Sequence, residues 1–197
     1  MRAALAAALA LAALRAAAQE DTAEARIAAA YEGLSRCHVP LTQEGAHEYH
    51  RVTVPVSWSD EPGTWTVALM TCALGAYNVV GAVILDDGYE AGLAAFAAPL
   101  IETDEAQDAV TAMRLTGFGA ATFLVNASVD PQTGAITEDA RLRGLGDAAT
   151  SARWELRDGA YALVRYEADL SYDGEINPWL VVEDGLPVEP APLPAGR

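Results

Sequence analysis

Polar side chains recur at alternate positions near the end of the sequence. They match positions one, three, five and nine of a calcium-binding loop: Asp169, Ser171, Asp173 and Asn177. Gly174 stands at position six, but Leu180 replaces the bidentate glutamate expected at position twelve. Ligand number sets calcium affinity, so the pattern predicts at most a weak site. A polar connection between strands is the alternative interpretation.

A second group of possible metal ligands contains the histidines, which all fall between positions 38 and 50. His47, Glu48 and His50 could approach one transition-metal ion. Gly45 and the polar residues around it instead favour a solvated connecting loop.

Familiar catalytic motifs do not occur in the sequence, which has no Gly-x-Ser-x-Gly and no His-Glu-x-x-His. Ser-x-x-Lys is impossible, because every basic residue is arginine. Acidic pairs such as Asp86 with Asp87 leave a two-carboxylate hydrolase open. Four tryptophans could line a sugar platform, although tryptophans in strands usually pack in the core: Trp58, Trp65, Trp154 and Trp179.

The two cysteines, Cys37 and Cys72, lie 35 positions apart. An even count in an exported chain favours one structural disulfide. A reactive thiol or a metal pair would need further ligands or a base nearby, and only His38 is adjacent to either cysteine.

The first eighteen residues have the order of a secretory signal peptide. Arg2 precedes an apolar stretch from 3 to 14, which is shorter than the roughly 20 residues of a spanning helix. The small residues 16–18 follow, and we expect cleavage after Ala18. The mature protein is therefore predicted to be periplasmic or secreted, with no membrane span after processing.

The charge balance is strongly acidic, with a formal net charge of −16 at pH 7. Such a surface repels phosphate backbones, which excludes nucleic acid as a favoured partner. It favours solubility and, secondarily, cations or basic partners.

Hydrophobic periodicity predicts one helix followed by strands. The three- and four-residue spacing of apolar residues predicts a helix over 20–35. Strands are expected at 50–58, 65–72, 78–85 and 179–183, with hairpins formed by 121–129 with 134–142 and by 152–156 with 160–166. Residues 60–63 read as a turn, and 92–100 are ambiguous between a short helix and a loop.

We therefore predict a mainly β member of the α+β class, with an N-terminal helix packed on an antiparallel β-meander. The sheet is either open and twisted or a partial barrel. Residues 19–186 are expected to form a single globular domain, followed by a proline-rich disordered tail over 187–197.

Two segments resemble motifs of the bacterial family known as domain of unknown function 1176. The first motif runs from Cys72 through Gly75, Ala76, Tyr77 and Asn78. The second contains Arg143, Gly144, Gly146 and Asp147, and is followed by Trp154. The similarity covers roughly residues 64 to 183 and implies an exported protein of unknown activity, without catalytic residues to transfer. The family's C-terminal cysteine pair is missing here, since Ala148 and the stretch around Ser171 replace it.

The motif residues also have a structural interpretation. The glycines suit tight turns, and the Asp147 side chain can cap such a turn. The leading hypothesis is a non-enzymatic exported domain that binds an unknown protein or an envelope component. The alternatives are a weak calcium- or small-ligand-binding module and a carboxylate-dependent envelope hydrolase. Apart from calcium, no cofactor is expected.

Overall fold

A computed structural model describes residues 22–106 and 109–188. Its elements follow one another along the chain as one helix and thirteen strands: α1 (Ala23–Glu32), β1 (His47–Val56), β2 (Ser59–Leu74), β3 (Val79–Asp86), β4 (Ala91–Leu93), β5 (Phe96–Ala106), β6 (Ala109–Ala121), β7 (Phe123–Val125), β8 (Ser128–Val129), β9 (Ile136–Arg141), β10 (Ala149–Arg157), β11 (Ala160–Asp169), β12 (Trp179–Glu183) and β13 (Leu186–Pro187). The predicted signal peptide lies outside the described residues, as does the tail from 189 onward.

Three antiparallel sheets make up the β-structure. The first has the order β1-β2-β3-β4. The short strands β4 and β7 share one edge of β3: β4 pairs with residues 84–86 and β7 with residues 80–82. The second has the order β13-β12-β11-β10-β9-β8, and β5 and β6 form a two-stranded ribbon. The predicted class, mainly β with one helix and antiparallel sheets, is confirmed. Among the described strands none of these sheets closes into a barrel.

The main core lies between the two large sheets, and the ribbon contributes to it. Val67 and Val83 come from the first sheet, Trp154 and Val181 from the second, and Phe96 from the ribbon. A second core lies on the other face of the first sheet, where α1 packs Ile27 and Tyr31 against β2 and β3. Alternate residues of β2 therefore serve the two cores, which explains its continuous apolar sequence.

The helix is shorter than predicted. It begins after Thr22, whose hydroxyl accepts the Ala25 N–H at 3.2 Å, and it ends at Gly33. Tyr31 anchors the helix, because its hydroxyl lies 2.8 Å from both the Val39 and the Thr71 carbonyl oxygens and its single proton is shared between them. No helix among the described residues is long and apolar enough to cross a membrane.

Three local predictions are wrong, and a fourth is right only in part: of the predicted hairpin of 121–129 with 134–142, only Ser128 and Val129 pair with β9, whereas β7 pairs with β3 and Ala121 belongs to β6. The β1–β2 turn falls at Ser57 and Trp58, and residues 60–63 belong to β2. Residues 92–100 contribute to strands β4 and β5. Pro187 pairs with Val182 at a sheet edge, although the sequence placed it in an unpaired tail. A proline fits there because an edge strand leaves its missing N–H facing away from the sheet.

Candidate functional site

The disulfide between Cys37 and Cys72 is confirmed. It joins the segment after α1 to β2, and Cys72 is fully buried. The His38 N–H donates to the Cys72 carbonyl oxygen at 2.9 Å, so backbone pairing reinforces the covalent link. Since both sulfurs are bonded to each other, neither thiol is available as a nucleophile or metal ligand.

The two motif segments lie together, although they are more than sixty residues apart in sequence. The Asn78 side chain donates to the Arg141 carbonyl oxygen at 2.8 Å and accepts the Arg141 N–H at 3.3 Å. A Cβ atom at Gly144 would lie 3.7 Å from the Tyr77 ring. We call this region, where the β2–β3 turn meets the loop 142–148, the motif end.

Asn126 completes this network and was not singled out by the sequence. Its side chain accepts the Val79 N–H at 2.7 Å and donates to Asn78 Oδ1 and the Asp139 carbonyl oxygen, each at 2.9 Å. It stands where the chain passes from the first sheet to the second, with φ of 48°. Asparagine tolerates this left-handed backbone better than most residues. An asparagine between two apolar segments was therefore the signal in the sequence that could have indicated this break between strands.

An ion pair closes the second motif. Arg143 donates two hydrogen bonds to the Asp147 carboxylate and a third to the Tyr172 carbonyl oxygen at 3.0 Å. The Gly174 N–H also donates to Asp147 at 2.9 Å. The Arg143 guanidinium, followed by backbone N–H groups, lowers the pKa of Asp147 to about 2. The motif thus fastens the loop 142–148 to the loop after β11.

The remaining motif residues also have structural roles. The Gly75 N–H donates to the Asn78 carbonyl oxygen at 2.7 Å, which closes the turn containing Ala76. Trp154 is 1 % exposed, and its indole N–H donates to the Ala97 carbonyl oxygen at 3.0 Å. Trp154 therefore holds the ribbon against the second sheet.

The loop from 169 to 177 uses its polar groups internally. Asp169 is buried and accepts bonds from the Ser171 N–H and hydroxyl and from the Asn177 N–H. Asp173 accepts the Glu175 N–H at 2.9 Å, and this bond is the main reason that its pKa is lowered. Calcium binding would have to compete with these bonds, and it stays a prediction.

The histidines predicted as metal ligands contact different partners. His47 packs edge-on against Tyr31 with ring centroids 5.3 Å apart, whereas His50 Nε2 lies 3.4 Å from Glu48. Within residues 22–106 and 109–188, no three His, Cys, Asp or Glu side chains are grouped as metal ligands.

A cleft of about 830 Å³ lies at the opposite end of β2 from the motif end. Three hairpin turns surround it: β1–β2, β3–β4 and β10–β11. Trp58 in the first turn is 65 % exposed, and Tyr89 in the second is 89 % exposed. Two large aromatic rings therefore face solvent at the rim of one cavity.

Trp65 and Tyr161, both buried, line the cleft beneath that rim. A side chain at Gly63 would overlap the Trp65 ring, and a Cβ at Gly159 would lie 3.5 Å from its Nε1. Gly159 also has φ of +74°, a backbone conformation that L side chains rarely adopt. These glycines let the start of β2 and the β10–β11 turn approach the indole closely.

The cleft is negatively charged. Its lining includes Asp87, Glu90 and Asp158, and no arginine is among the lining residues described. Asp87 Oδ1 accepts the N–H groups of Tyr89 and Glu90 at 2.8 and 2.9 Å, which lowers its pKa. Asp158 Oδ1 accepts the Ser57 N–H at 2.7 Å and so fixes the turn that carries Trp58. We call the site formed by Trp58, Trp65, Asp87, Tyr89 and Asp158 the aromatic cleft.

Sequence analysis considered Trp58 and Trp65 only as members of a sugar platform with Trp154 and Trp179. The structure instead buries Trp65, Trp154 and Trp179 and exposes Trp58. Tyr89 was missed, because a tyrosine after Asp-Asp-Gly resembles any solvated turn. Comparisons with family models, curated proteins and solved structures find no match, so the resemblance to domain of unknown function 1176 stays a prediction.

Proposed function

We propose that this chain is an exported, non-enzymatic binding domain that holds a partner protein or an envelope component in the aromatic cleft. The observation that carries the proposal is the exposure of Trp58 and Tyr89 at the rim of one cavity. Aromatic rings contribute large contact areas to binding sites, and exposed apolar surface around a concavity is typical of them.

A location outside the cytoplasm is supported by two independent features. The N-terminal segment has the order of a signal peptide, and the Cys37–Cys72 disulfide is of a kind that persists in oxidising compartments. Membership of the family known as domain of unknown function 1176 would agree with that location.

Binding without catalysis is supported by how two of the three carboxylates of the cleft are used. Asp87 and Asp158 accept backbone N–H groups of the turns around them, so both have a structural role. A general acid or base must instead reach the reacting atoms with a proton to give or accept.

The test is a fragment screen followed by amide and indole NMR on the labelled protein. Neutral saccharides, guanidines, amines and carboxylates are titrated separately. We expect shifts to concentrate at the Trp58 and Trp65 indoles and at amides 87–93 and 158–161. The amides of Asn78, at the motif end, and of Gly174, in the adjoining loop after β11, serve as internal controls.

A paired substitution sharpens the screen. Trp58→Ala with Tyr89→Ala should abolish the binding of every fragment that shifts the cleft. Phe118→Ala is the matched control, because Phe118 is a 48 % exposed aromatic on the ribbon. Hits that map to the motif end, or that survive the double substitution, would overturn the proposed function.

A further inference from the structure

The inference concerns the kind of ligand that the aromatic cleft accepts, and it rests on the proposed function. It begins with β4, which is an edge of the first sheet and lines the cleft. The Ala94 N–H donates to the Val83 carbonyl oxygen at 2.8 Å, and the Asp87 N–H to the Glu90 carbonyl oxygen at 3.2 Å. Residues 90 and 94 therefore direct their backbone groups toward β3.

Hydrogen bonding alternates along an antiparallel strand, so the intervening residues direct their backbone groups the other way. Gly92 pairs with Leu85 and, like residues 90 and 94, directs its backbone groups toward β3. Ala91 and Leu93 consequently present N–H and C=O groups to the outer edge of β4. A Cβ at Gly92 would meet no atom within 4 Å, so the face of the strand on that side is open as well. An edge of this kind can accept a further strand from another chain.

Charge and aromatic rings indicate which side chains such a strand would carry. The cleft contributes three carboxylates and no arginine among its described lining residues, within a chain of net charge −16. A cation over the face of Trp58 or Tyr89 would be attracted both by the ring and by these carboxylates. Arginine suits such a position better than lysine, because its planar guanidinium stacks on aromatic faces.

We propose that the ligand is an extended, arginine-rich protein segment that adds to β4 as a further strand and places guanidinium groups against Trp58 and Tyr89. Successive side chains of a strand point to opposite faces, so apolar residues should alternate with the arginines. A neutral saccharide could use the same rings and could donate hydroxyl hydrogen bonds to the three carboxylates, but it would gain no ionic attraction from them.

The probe is a blocked peptide with the sequence Arg-Val-Arg-Val-Arg, titrated by calorimetry and by Trp58 indole NMR. Its matched control has the same side chains and N-methyl groups on alternate backbone nitrogens. It keeps every charge and loses the donors needed for strand pairing. We expect the methylated peptide to bind at least about tenfold more weakly.

Two variants test the protein side. Trp58→Ala with Tyr89→Ala should weaken the unmethylated peptide by about tenfold or more, whereas Phe118→Ala should leave its affinity unchanged. Leu93→Pro removes one outward N–H of β4 without touching the bonds to β3, and it should also weaken binding. The amide spectrum of each variant verifies its fold.

Equal binding of the two peptides would overturn strand addition, since it would reveal attraction of a cation to an acidic protein and nothing more. Cleft shifts with a neutral oligosaccharide, and none with the peptide, would overturn the arginine-rich ligand and leave the proposed function intact. Failure of every fragment and peptide to shift the cleft would overturn both.

Discussion

The hairpin turns at the two ends of β2 are stabilised in different ways. At the motif end, side chains bond to groups distant in sequence, as Asn78 does to Asn126 and Arg143 to the Tyr172 carbonyl oxygen. At the aromatic cleft, Asp87 caps its own turn and Asp158 caps one neighbouring turn, while Trp58 and Tyr89 contact solvent. The residues that resemble a family motif thus hold the fold together, and the open end is the one that we propose to bind a partner.

The exposure of apolar side chains does not by itself distinguish the motif end from the aromatic cleft. Leu145 at the motif end is 83 % exposed, and Ile176 in the adjoining loop after β11 is 79 % exposed. The difference is what the exposed side chains border, because the exposed rings of the cleft line a cavity of about 830 Å³ that is wide enough to surround a ligand.

The largest expected effect comes from the disulfide, whose Cys72 begins the first motif. Replacing both Cys37 and Cys72 by serine should lower the free energy of unfolding by about 4 kcal/mol in the chain-entropy model. Urea unfolding of the double variant measures it, with the reduced wild type as control. Unchanged stability would show that the motif end does not depend on this covalent link.

Asn126 should have the next largest effect, because its side chain makes three hydrogen bonds. At about 1 kcal/mol per bond, Asn126→Ala should cost roughly 2 to 3 kcal/mol of stability. Asn126→Gly is the matched variant, since glycine adopts the positive φ without strain and lacks the same bonds. If the glycine variant were as stable as wild type, the backbone conformation and not the network would be what matters.

Acid should weaken the motif end through Asp147. Its folded pKa of about 2 lies below the ordinary value of an unfolded aspartate, about 3.9, so the ionised form stabilises the fold. That contribution is complete above about pH 4 and is lost as pH falls toward 2. Asp147→Asn should therefore make stability, measured by urea unfolding across this range, less dependent on pH. An unaltered pH profile would contradict the role of the Arg143–Asp147 pair.

Substitutions in the aromatic cleft, unlike those at the motif end, should have little effect on the free energy of unfolding. Trp58→Ala with Tyr89→Ala removes two largely exposed rings, and the free energy of unfolding should change by no more than about 0.5 kcal/mol per site. A loss of several kcal/mol would mean that these rings support the fold, and the distinction between the two ends would fail.

The smallest expected effect is that of calcium. Since the Asp169 carboxylate already accepts bonds from Ser171 and Asn177, millimolar calcium should leave the melting midpoint within about 1 °C of its value with chelator. A rise of several degrees would instead support the calcium-loop interpretation of residues 169–177.

Local signals in the sequence predicted the elements that local chemistry determines. The turn Arg157-Asp158-Gly159 joins β10 and β11 as expected, because Asp158 and Gly159 both adopt positive φ. The strand Trp179–Glu183 has the bounds that its apolar run indicated. The disulfide followed from the number of cysteines and the predicted compartment.

Long-range contacts explain what sequence could not predict. Residues 60–63 have the composition of a turn, yet Asp158, about a hundred positions away, fixes the turn at 57–58. The ribbon was missed because alanine, glycine and charged residues dilute the alternation of its strands. The cleft is formed by three turns from separate parts of the chain, so no single segment could have revealed it.

The ribbon of β5 and β6 has a further consequence for dynamics. Its strands pair only with each other among the described residues, so it can detach from the second sheet without breaking the ladders of the two large sheets. Such opening would uncover Phe96 and Met113, which pack in the core. The amides of 96–105 and 110–121 should then exchange with solvent deuterium as one cooperative group, at a lower opening free energy than the amides of β2 and β11.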